Sequence, residues 1–213
     1  MKYVLAFGDS NTWGLVPGSV TKERYPWGSR WTSILQERCP DLRVIEEGLC
    51  GRTTVFEDDL RPGRRGIEAL PLILETHHPL DAAVVMLGTN DCKPVYGASA
   101  HTIGRGLELC LEEIERSISP ERILVVSPLL FGEDVWRPEK DPEFSQRSVE
   151  LCRELKEVYR GIAGKRGNAF LAASDYVRPN TADDEHMDEE GHRIFSSAVY
   201  EKLKEMNITA GQQ

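Results

Sequence analysis

The sequence lacks the features that would direct a protein to a membrane or to nucleic acid. No stretch approaches the roughly 18 consecutive apolar residues of a membrane-spanning helix. Basic residues are also in the minority, since 26 Lys and Arg stand against 35 Asp and Glu, for a net charge of −9. Phosphate backbones and anionic lipid surfaces are bound by clustered Lys and Arg. We therefore expect no nucleic-acid partner and no membrane partner.

The sequence also lacks a Cys-x-x-Cys pair, which excludes the commonest zinc and redox motifs. The five cysteines are scattered, at Cys39, Cys50, Cys92, Cys110 and Cys152. We expect reduced thiols that are partly buried, with Cys50 and Cys92 adjoining two of the turns described below. No charged and then apolar leader precedes the first predicted strand, so a cytoplasmic location is expected.

Short apolar runs alternate with amphipathic segments five times along the chain. The apolar runs lie at 3–7, 42–45, 81–87, 123–126 and 169–172. This alternation predicts an α/β fold in three layers, a doubly wound five-stranded parallel sheet with helices on both faces. We expect a flavodoxin-like strand order. No internal repeat or linker is visible, so residues 1–213 are predicted to form a single domain.

Helices are predicted where apolar residues recur every three or four positions. Ser29 is the expected N-cap of a helix that carries Trp31. The next long amphipathic helix is expected to extend to Ile118, and Phe144 is placed on the apolar face of the helix after it. The last helix is expected to begin near Asp188.

The first apolar run stops at a polar turn that places Ser10 just beyond a strand. Open α/β sheets bind their ligands at the carboxyl ends of their strands. A serine in that position is either a nucleophile or a hydroxyl that binds phosphate. The second interpretation describes a non-catalytic flavodoxin-like module that holds a phosphate or nucleotide on residues 8–14.

Four further residues lie in turns that follow other strands and support the nucleophile interpretation. They are Gly51, Asn90, Asp183 and His186. A serine needs a neighbouring base, and a histidine base needs an acceptor on its second ring nitrogen. Asp183 and His186 are three residues apart, within reach of one turn. The N–H groups of Ser10 and Gly51 and the amide of Asn90 would supply donors to an oxyanion.

These segments resemble the four sequence blocks of the SGNH (GDSL-type) hydrolases. In chain order they are Gly8-Asp9-Ser10-Asn11, the glycine turn ending at Gly51, Gly88-Thr89-Asn90-Asp91 and Asp183-x-x-His186. Residues 7–14, 46–54 and 86–91 are also similar to the mycobacterial arylesterase/acyltransferase branch.

The resemblance implies a serine esterase without a cofactor. Ser10 would be the nucleophile, Asp183 and His186 the other triad members, and Ser10, Gly51 and Asn90 the oxyanion hole. The expected substrates are small, short-acyl esters, with acyl transfer to water, alcohols or peroxide through an acyl-enzyme. A homo-oligomer is also implied. Asp183 to His186 could alternatively ligate a metal, but no second ligand group has a diagnostic spacing, so we expect none.

Other residues near these blocks leave open questions. Asp184 and Glu185 stand where relatives often have glycine and a small apolar residue. Their negative charges predict a raised pKa for His186 and alkaline activity, which Asp184→Gly would shift. Asp9 and Trp13 are expected to line the substrate pocket. The loop aromatics Trp13, Trp27, Phe131 and Trp136 are either pocket and subunit contacts or local packing.

Overall fold

A sheet of five parallel strands forms the middle layer of residues 1–209, the part of the chain that the computed structural model describes. The strands are β1 (Lys2–Gly8), β2 (Leu42–Gly48), β3 (Ala82–Met86), β4 (Ile123–Ser127) and β5 (Ala169–Ala172). The helices are α1 (Ser10–Trp13), α2 (Trp31–Arg38), α3 (Gly66–Thr76), α4 (Ala100–Ile114), α5 (Gln146–Arg166) and α6 (Glu189–Glu205). Four short 3₁₀ helices lie between these elements, at Asn90–Cys92, Pro94–Tyr96, Pro120–Arg122 and Ala173–Asp175.

The strand order is β2-β1-β3-β4-β5, with every neighbouring pair parallel. This confirms the predicted parallel sheet and its flavodoxin-like order. At the carboxyl edge, Gly8 is paired with Gly48 on one side and with Met86 on the other. The chain therefore leaves β1, β2 and β3 at the same level, and their turns meet at one edge of the sheet.

Each strand buries alternate side chains in two separate cores, one on each face of the sheet. In β1, Val4 and Ala6 lie in the core covered by α2 and α6, whereas Leu5 and Phe7 lie in the core covered by α3, α4 and α5. All four side chains are completely buried. The predicted three-layer arrangement is confirmed.

Three predicted helix details are wrong. Arg30, not Ser29, is the N-cap residue of α2, because the Ser29 hydroxyl donates to Glu189 instead, at 3.1 Å. Helix α4 ends at Ile114, and Ile118 is buried just beyond it. Phe144 precedes α5 and packs on Phe131, with their ring centroids 4.6 Å apart.

Other boundaries follow the sequence closely. The N-cap of α6 is Asp188, whose carboxylate accepts from the N–H of Gly191, as the helix start near Asp188 predicts. The five cysteines are free, with Cys50 half-buried and the other four buried. Within residues 1–209, every helix is too short or too polar to cross a membrane.

Candidate active site

Ser10 lies at the sharp junction between β1 and the single-turn helix α1. The preceding residue, Asp9, caps this helix by accepting the N–H of Asn11 at 3.0 Å. Gly8 is needed here, because a Cβ on it would lie 2.1 Å from the Thr12 hydroxyl. The junction fixes Ser10 with only 3% of its surface exposed.

His186 joins Ser10 to Asp183 through its two ring nitrogens. Its Nε2 lies 2.8 Å from Oγ of Ser10, and its Nδ1 lies 2.8 Å from Oδ2 of Asp183. Asp183 is held in turn by the N–H of Gly18 at 2.9 Å on Oδ2, and its Oδ1 accepts the N–H of His186 at 3.0 Å. The structure therefore brings together the predicted nucleophile, base and acid, although Ser10 and His186 are 176 residues apart in the sequence.

The charges around His186 favour its protonated form. Burial alone would lower the pKa of His186, but the carboxylates of Glu185 and Asp183 outweigh burial and raise that pKa to about 9. Burial would raise the pKa of Asp183, but the hydrogen bonds and charge of His186, together with the N–H of Glu185, outweigh burial and lower that pKa to about 2. This arrangement can take a proton from Ser10 and stabilise the imidazolium that results.

The turns after β2 and β3 meet beside Ser10. The side-chain amide of Asn90 donates to the carbonyl of Arg52 at 3.2 Å, and the Arg52 guanidinium donates to the carbonyl of Gly8 at 3.0 Å. Gly51 adopts a φ of +83°, a conformation that favours glycine. Within residues 1–209, neither the Ser10 N–H nor the Gly51 N–H donates to a protein carbonyl.

Asp91 links the same two turns through buried hydrogen bonds to Thr54. Its carboxylate accepts the N–H of Thr54 at 2.9 and 3.1 Å, and also the Thr54 hydroxyl. Asp91 is completely buried, and this burial raises its pKa to about 6. Asp91 therefore has a structural role, because it ties the turn that contains Asn90 to the turn after β2.

Asp9 and Trp13 are not placed as pocket walls. Asp9 is completely buried, which raises its pKa, and it has no surface for the predicted substrate contact. The ring of Trp13 packs against the guanidinium of Arg24, 5.2 Å from the ring centroid, which favours local packing. The cavity beside the triad, of about 420 Å³, is instead lined by Asp183, Glu185 and His186 with residues from 15–22 and 139–143.

Asp184 and Glu185 have opposite orientations, which sequence reasoning missed. Asp184 has a φ of +60° and directs its carboxylate away from the triad, to Lys140 and to the N–H of Asp134 at 3.3 Å. Glu185 places Oε1 3.7 Å from Nε2 of His186. The expected rise in the pKa of His186 is therefore present, but its assignment to Asp184 is wrong.

The remaining histidine near the site is structural. His192 is completely buried in α6, where Nδ1 accepts the N–H of Trp31 at 3.3 Å and the ring lies edge-on to Tyr25. Burial lowers its pKa to about 4, so it is neutral. Cys50, next to Gly51, has its pKa raised by burial to about 11 and is no thiolate at neutral pH. Residues 1–209 contain no cluster of three or more His, Cys, Asp or Glu side chains that could hold a metal.

The sequence and the structure both match known hydrolases. The family model described as GDSL-like Lipase/Acylhydrolase matches residues 6–194. The structure of an M. smegmatis aryl esterase is 31% identical and superposes with a TM-score of 0.87, over 97% of this chain and 100% of that one. The structure of a carbohydrate acetylesterase from Sinorhizobium meliloti is 30% identical, with a TM-score of 0.86 over 97% and 100% of the two chains.

No curated protein sequence matches the chain. The family match covers most of the chain and includes the Ser10, Gly51, Asn90 and Asp183–His186 segments. The two solved structures are similar over almost their whole lengths, so the resemblance found in the four sequence blocks is confirmed. The chain belongs to the GDSL-like lipase/acylhydrolase family, whose SGNH-hydrolase members share its flavodoxin-like fold, and carboxylic ester hydrolysis is the class of activity that this membership supports.

Proposed function

We propose that the protein is a serine esterase that hydrolyses small carboxylic esters through an acyl-enzyme. The single observation that carries the proposal is the hydrogen-bonded chain Ser10–His186–Asp183, with both bonds at 2.8 Å. A serine hydroxyl gains nucleophilicity only when a base accepts its proton, and this geometry supplies the base. A phosphate-binding module would have no use for the His186–Asp183 pair.

The proposed reaction has two matching halves. In the first, Oγ of Ser10 attacks the ester carbonyl while Nε2 of His186 accepts the hydroxyl proton. The Ser10 and Gly51 N–H groups and the Asn90 amide donate to the oxyanion. The tetrahedral intermediate then collapses, and the alcohol leaves with the proton from His186. In the second half, water attacks the acyl-enzyme by the same route, which frees the carboxylic acid and Ser10.

The preference for short acyl groups is supported by the close packing around Ser10. Ser10, Asn90 and Arg52 each have 4% or less of their surface exposed, so the turns that contain them are closely packed. The more open space is the cavity on the side of His186, where the alcohol would lie. The carbohydrate acetylesterase similar to this chain is named for an acetyl substrate, which fits the same preference.

Acyl transfer belongs to the same proposal, because an alcohol or peroxide can occupy the position of the attacking water.

We also propose a homo-oligomer. This proposal is supported by Leu60 and Val95, two apolar side chains that are 83% and 81% exposed and line the same surface pocket. Light scattering on the purified protein measures the subunit number, and a monomer would contradict the proposed homo-oligomer. The cytoplasmic location and the single domain stay predictions.

The esterase proposal is tested with p-nitrophenyl esters of increasing acyl length. We expect the acetate and butyrate to be hydrolysed faster than the octanoate, and Ser10→Ala to reduce kcat by roughly 10⁴-fold or more. Ser127→Ala is a matched control, since Ser127 is also buried at the carboxyl end of a parallel strand. Full activity in folded Ser10→Ala would overturn the proposal. Adding an alcohol acceptor and measuring the ester formed tests acyl transfer in the same assay.

A further inference from the structure

Glu185 is a buried carboxyl group without a hydrogen-bond partner. Its side chain is 6% exposed, and its backbone N–H and carbonyl are bonded to Asp183 and Asn11. In the described part of the chain, however, no hydrogen bond to its carboxyl oxygens is present. The carboxyl oxygens of Glu185 are not sealed from solvent, so they can accept a hydrogen bond from a ligand in the cavity beside the triad.

The carboxyl group faces the reacting atoms. Its Oε1 lies 3.7 Å from Nε2 of His186, the nitrogen that is bonded to Oγ of Ser10. Glu185 also lines the cavity beside the triad. The free acceptor therefore points to the space that the alcohol part of an ester would occupy.

We propose that Glu185 determines specificity on the alcohol side, by accepting a hydrogen bond from a hydroxyl group on the carbon adjacent to the one that bears the ester oxygen. This inference rests on the proposed function. The preferred substrates would be esters of 1,2-diols and polyols. Glu185 would also orient an acceptor alcohol of the same type in acyl transfer.

The geometry fits a vicinal hydroxyl. The leaving oxygen must lie within hydrogen-bond distance of Nε2 of His186, because it takes the proton from there. Oxygens on adjacent carbons are about one hydrogen-bond length apart. A hydroxyl next to the leaving oxygen can therefore span the gap to Oε1 of Glu185, whereas a hydroxyl several carbons away would lie elsewhere in the cavity.

The charges in the cavity favour a neutral, hydroxyl-rich ligand over a charged one. Its walls carry cationic and anionic side chains together, namely Lys22, Arg61, Lys140, Glu139, Asp141 and Glu143. Burial raises the pKa of Glu185 to about 7, with Asp141, Asp183 and Asp9 adding to the effect and His186 opposing it. A hydroxyl can donate to this group when it is ionised and accept from it when it is protonated.

The test compares 2-hydroxyethyl acetate with 2-methoxyethyl acetate. The two alcohols withdraw electrons to a similar degree, so they differ chiefly in the donated hydrogen bond. We expect wild-type kcat/KM to favour 2-hydroxyethyl acetate by roughly tenfold or more. In Glu185→Leu this ratio should fall to about one, and in Glu185→Gln to an intermediate value.

The two substrates are compared within each variant, so a reduced fraction of folded protein lowers both kcat/KM values equally and cancels in their ratio. Glu139→Gln is the matched control, since it removes an exposed carboxylate from the same cavity and should keep the wild-type ratio. If Glu185→Leu does not fold, Glu185→Gln still reports the ratio. A wild-type ratio near one, or an unchanged ratio in Glu185→Leu, would overturn the inference.

Acetylcholine provides a further comparison, because it carries a positive charge without a hydrogen-bond donor. A preference for it over 2-hydroxyethyl acetate would also overturn the inference, in favour of recognition by charge. Failure of the esterase proposal looks different. In that case no ester is hydrolysed, or Ser10→Ala is as active as wild type, whatever the substrate ratio.

Discussion

Glu185 places a carboxyl oxygen 3.7 Å from Nε2 of His186. Despite burial, which acts in the opposite direction, this charge and that of Asp183 raise the pKa of His186 to about 9. The proposed base is the neutral imidazole, so kcat/KM should rise with pH until His186 has lost its proton. His186 is thus a strong base, but only a small fraction of it is in the neutral, proton-accepting form at neutral pH.

Removing the charge of Glu185 should move the pH profile toward acid. Without that charge the pKa of His186 falls, so a larger fraction of the base is neutral at pH 7. We expect the rising limb of kcat/KM against pH to lie lower in Glu185→Gln by about one unit or more. An unchanged limb would contradict the assigned cause.

Asp184→Asn should leave that profile in place. Asp184 directs its carboxylate to Lys140 and to the N–H of Asp134, so its charge does not face His186. Asparagine tolerates the positive φ at this position. The expected change is a loss of about 1 kcal/mol in the free energy of unfolding, measured by urea denaturation. A shift of the pH profile as large as that of Glu185→Gln would show this account of Asp184 to be wrong.

Asn90→Ala should reduce kcat and leave KM almost unchanged. The Asn90 amide donates to the carbonyl of Arg52 and is proposed to donate also to the oxyanion, which forms only during the reaction. Loss of one such donor costs roughly 10²- to 10³-fold in kcat. Steady-state kinetics with p-nitrophenyl acetate measures both constants. A loss below tenfold, in a variant that unfolds at the wild-type temperature, would remove Asn90 from the proposed hole.

Gly48→Ala should destabilise the protein and lower kcat together. A Cβ on Gly48 would lie 2.2 Å from the backbone nitrogen of Trp13, so α1 and its Ser10 would have to move. Overpacking of this kind typically costs about 1–3 kcal/mol. Gly161→Ala in α5 is the control, because a Cβ there meets nothing within 4 Å, and it should stabilise the helix by about 0.5–1 kcal/mol. Equal unfolding temperatures for the two variants would contradict this packing.

The fold could be predicted from the sequence where local patterns decide the structure. The apolar runs predict the five strands, and Asp188 marks the start of α6 through its capping carboxylate. Helix ends that depend on contacts with distant residues could not be predicted from the sequence. Ser29 has a good residue type for an N-cap, but Glu189 accepts its hydroxyl. Phe144 has helical spacing, yet α5 starts after it because Ser145 and Ser148 form a capping box.

Within the candidate site, the sequence predicted the residue types and their common edge. Asp183 and His186 are close in sequence, and Ser10 follows β1, an interior strand whose carboxyl end lies at the same edge of the parallel sheet as that of β5. The opposite orientations of the Asp184 and Glu185 side chains could not be predicted from the presence of two adjacent acidic residues. They depend on a single positive φ at Asp184, which sends neighbouring side chains to opposite sides of the loop.

The most direct test of the central claim is labelling with a fluorophosphonate, followed by peptide mass spectrometry. The phosphonate reacts with an activated serine, and among the described residues Ser10 is bonded to the His186–Asp183 pair. We predict one adduct, on the peptide that contains Ser10, which forms much more slowly in His186→Ala. An active enzyme that hydrolyses esters while its Ser10 stays unlabelled, or that is labelled at another residue, would contradict the account.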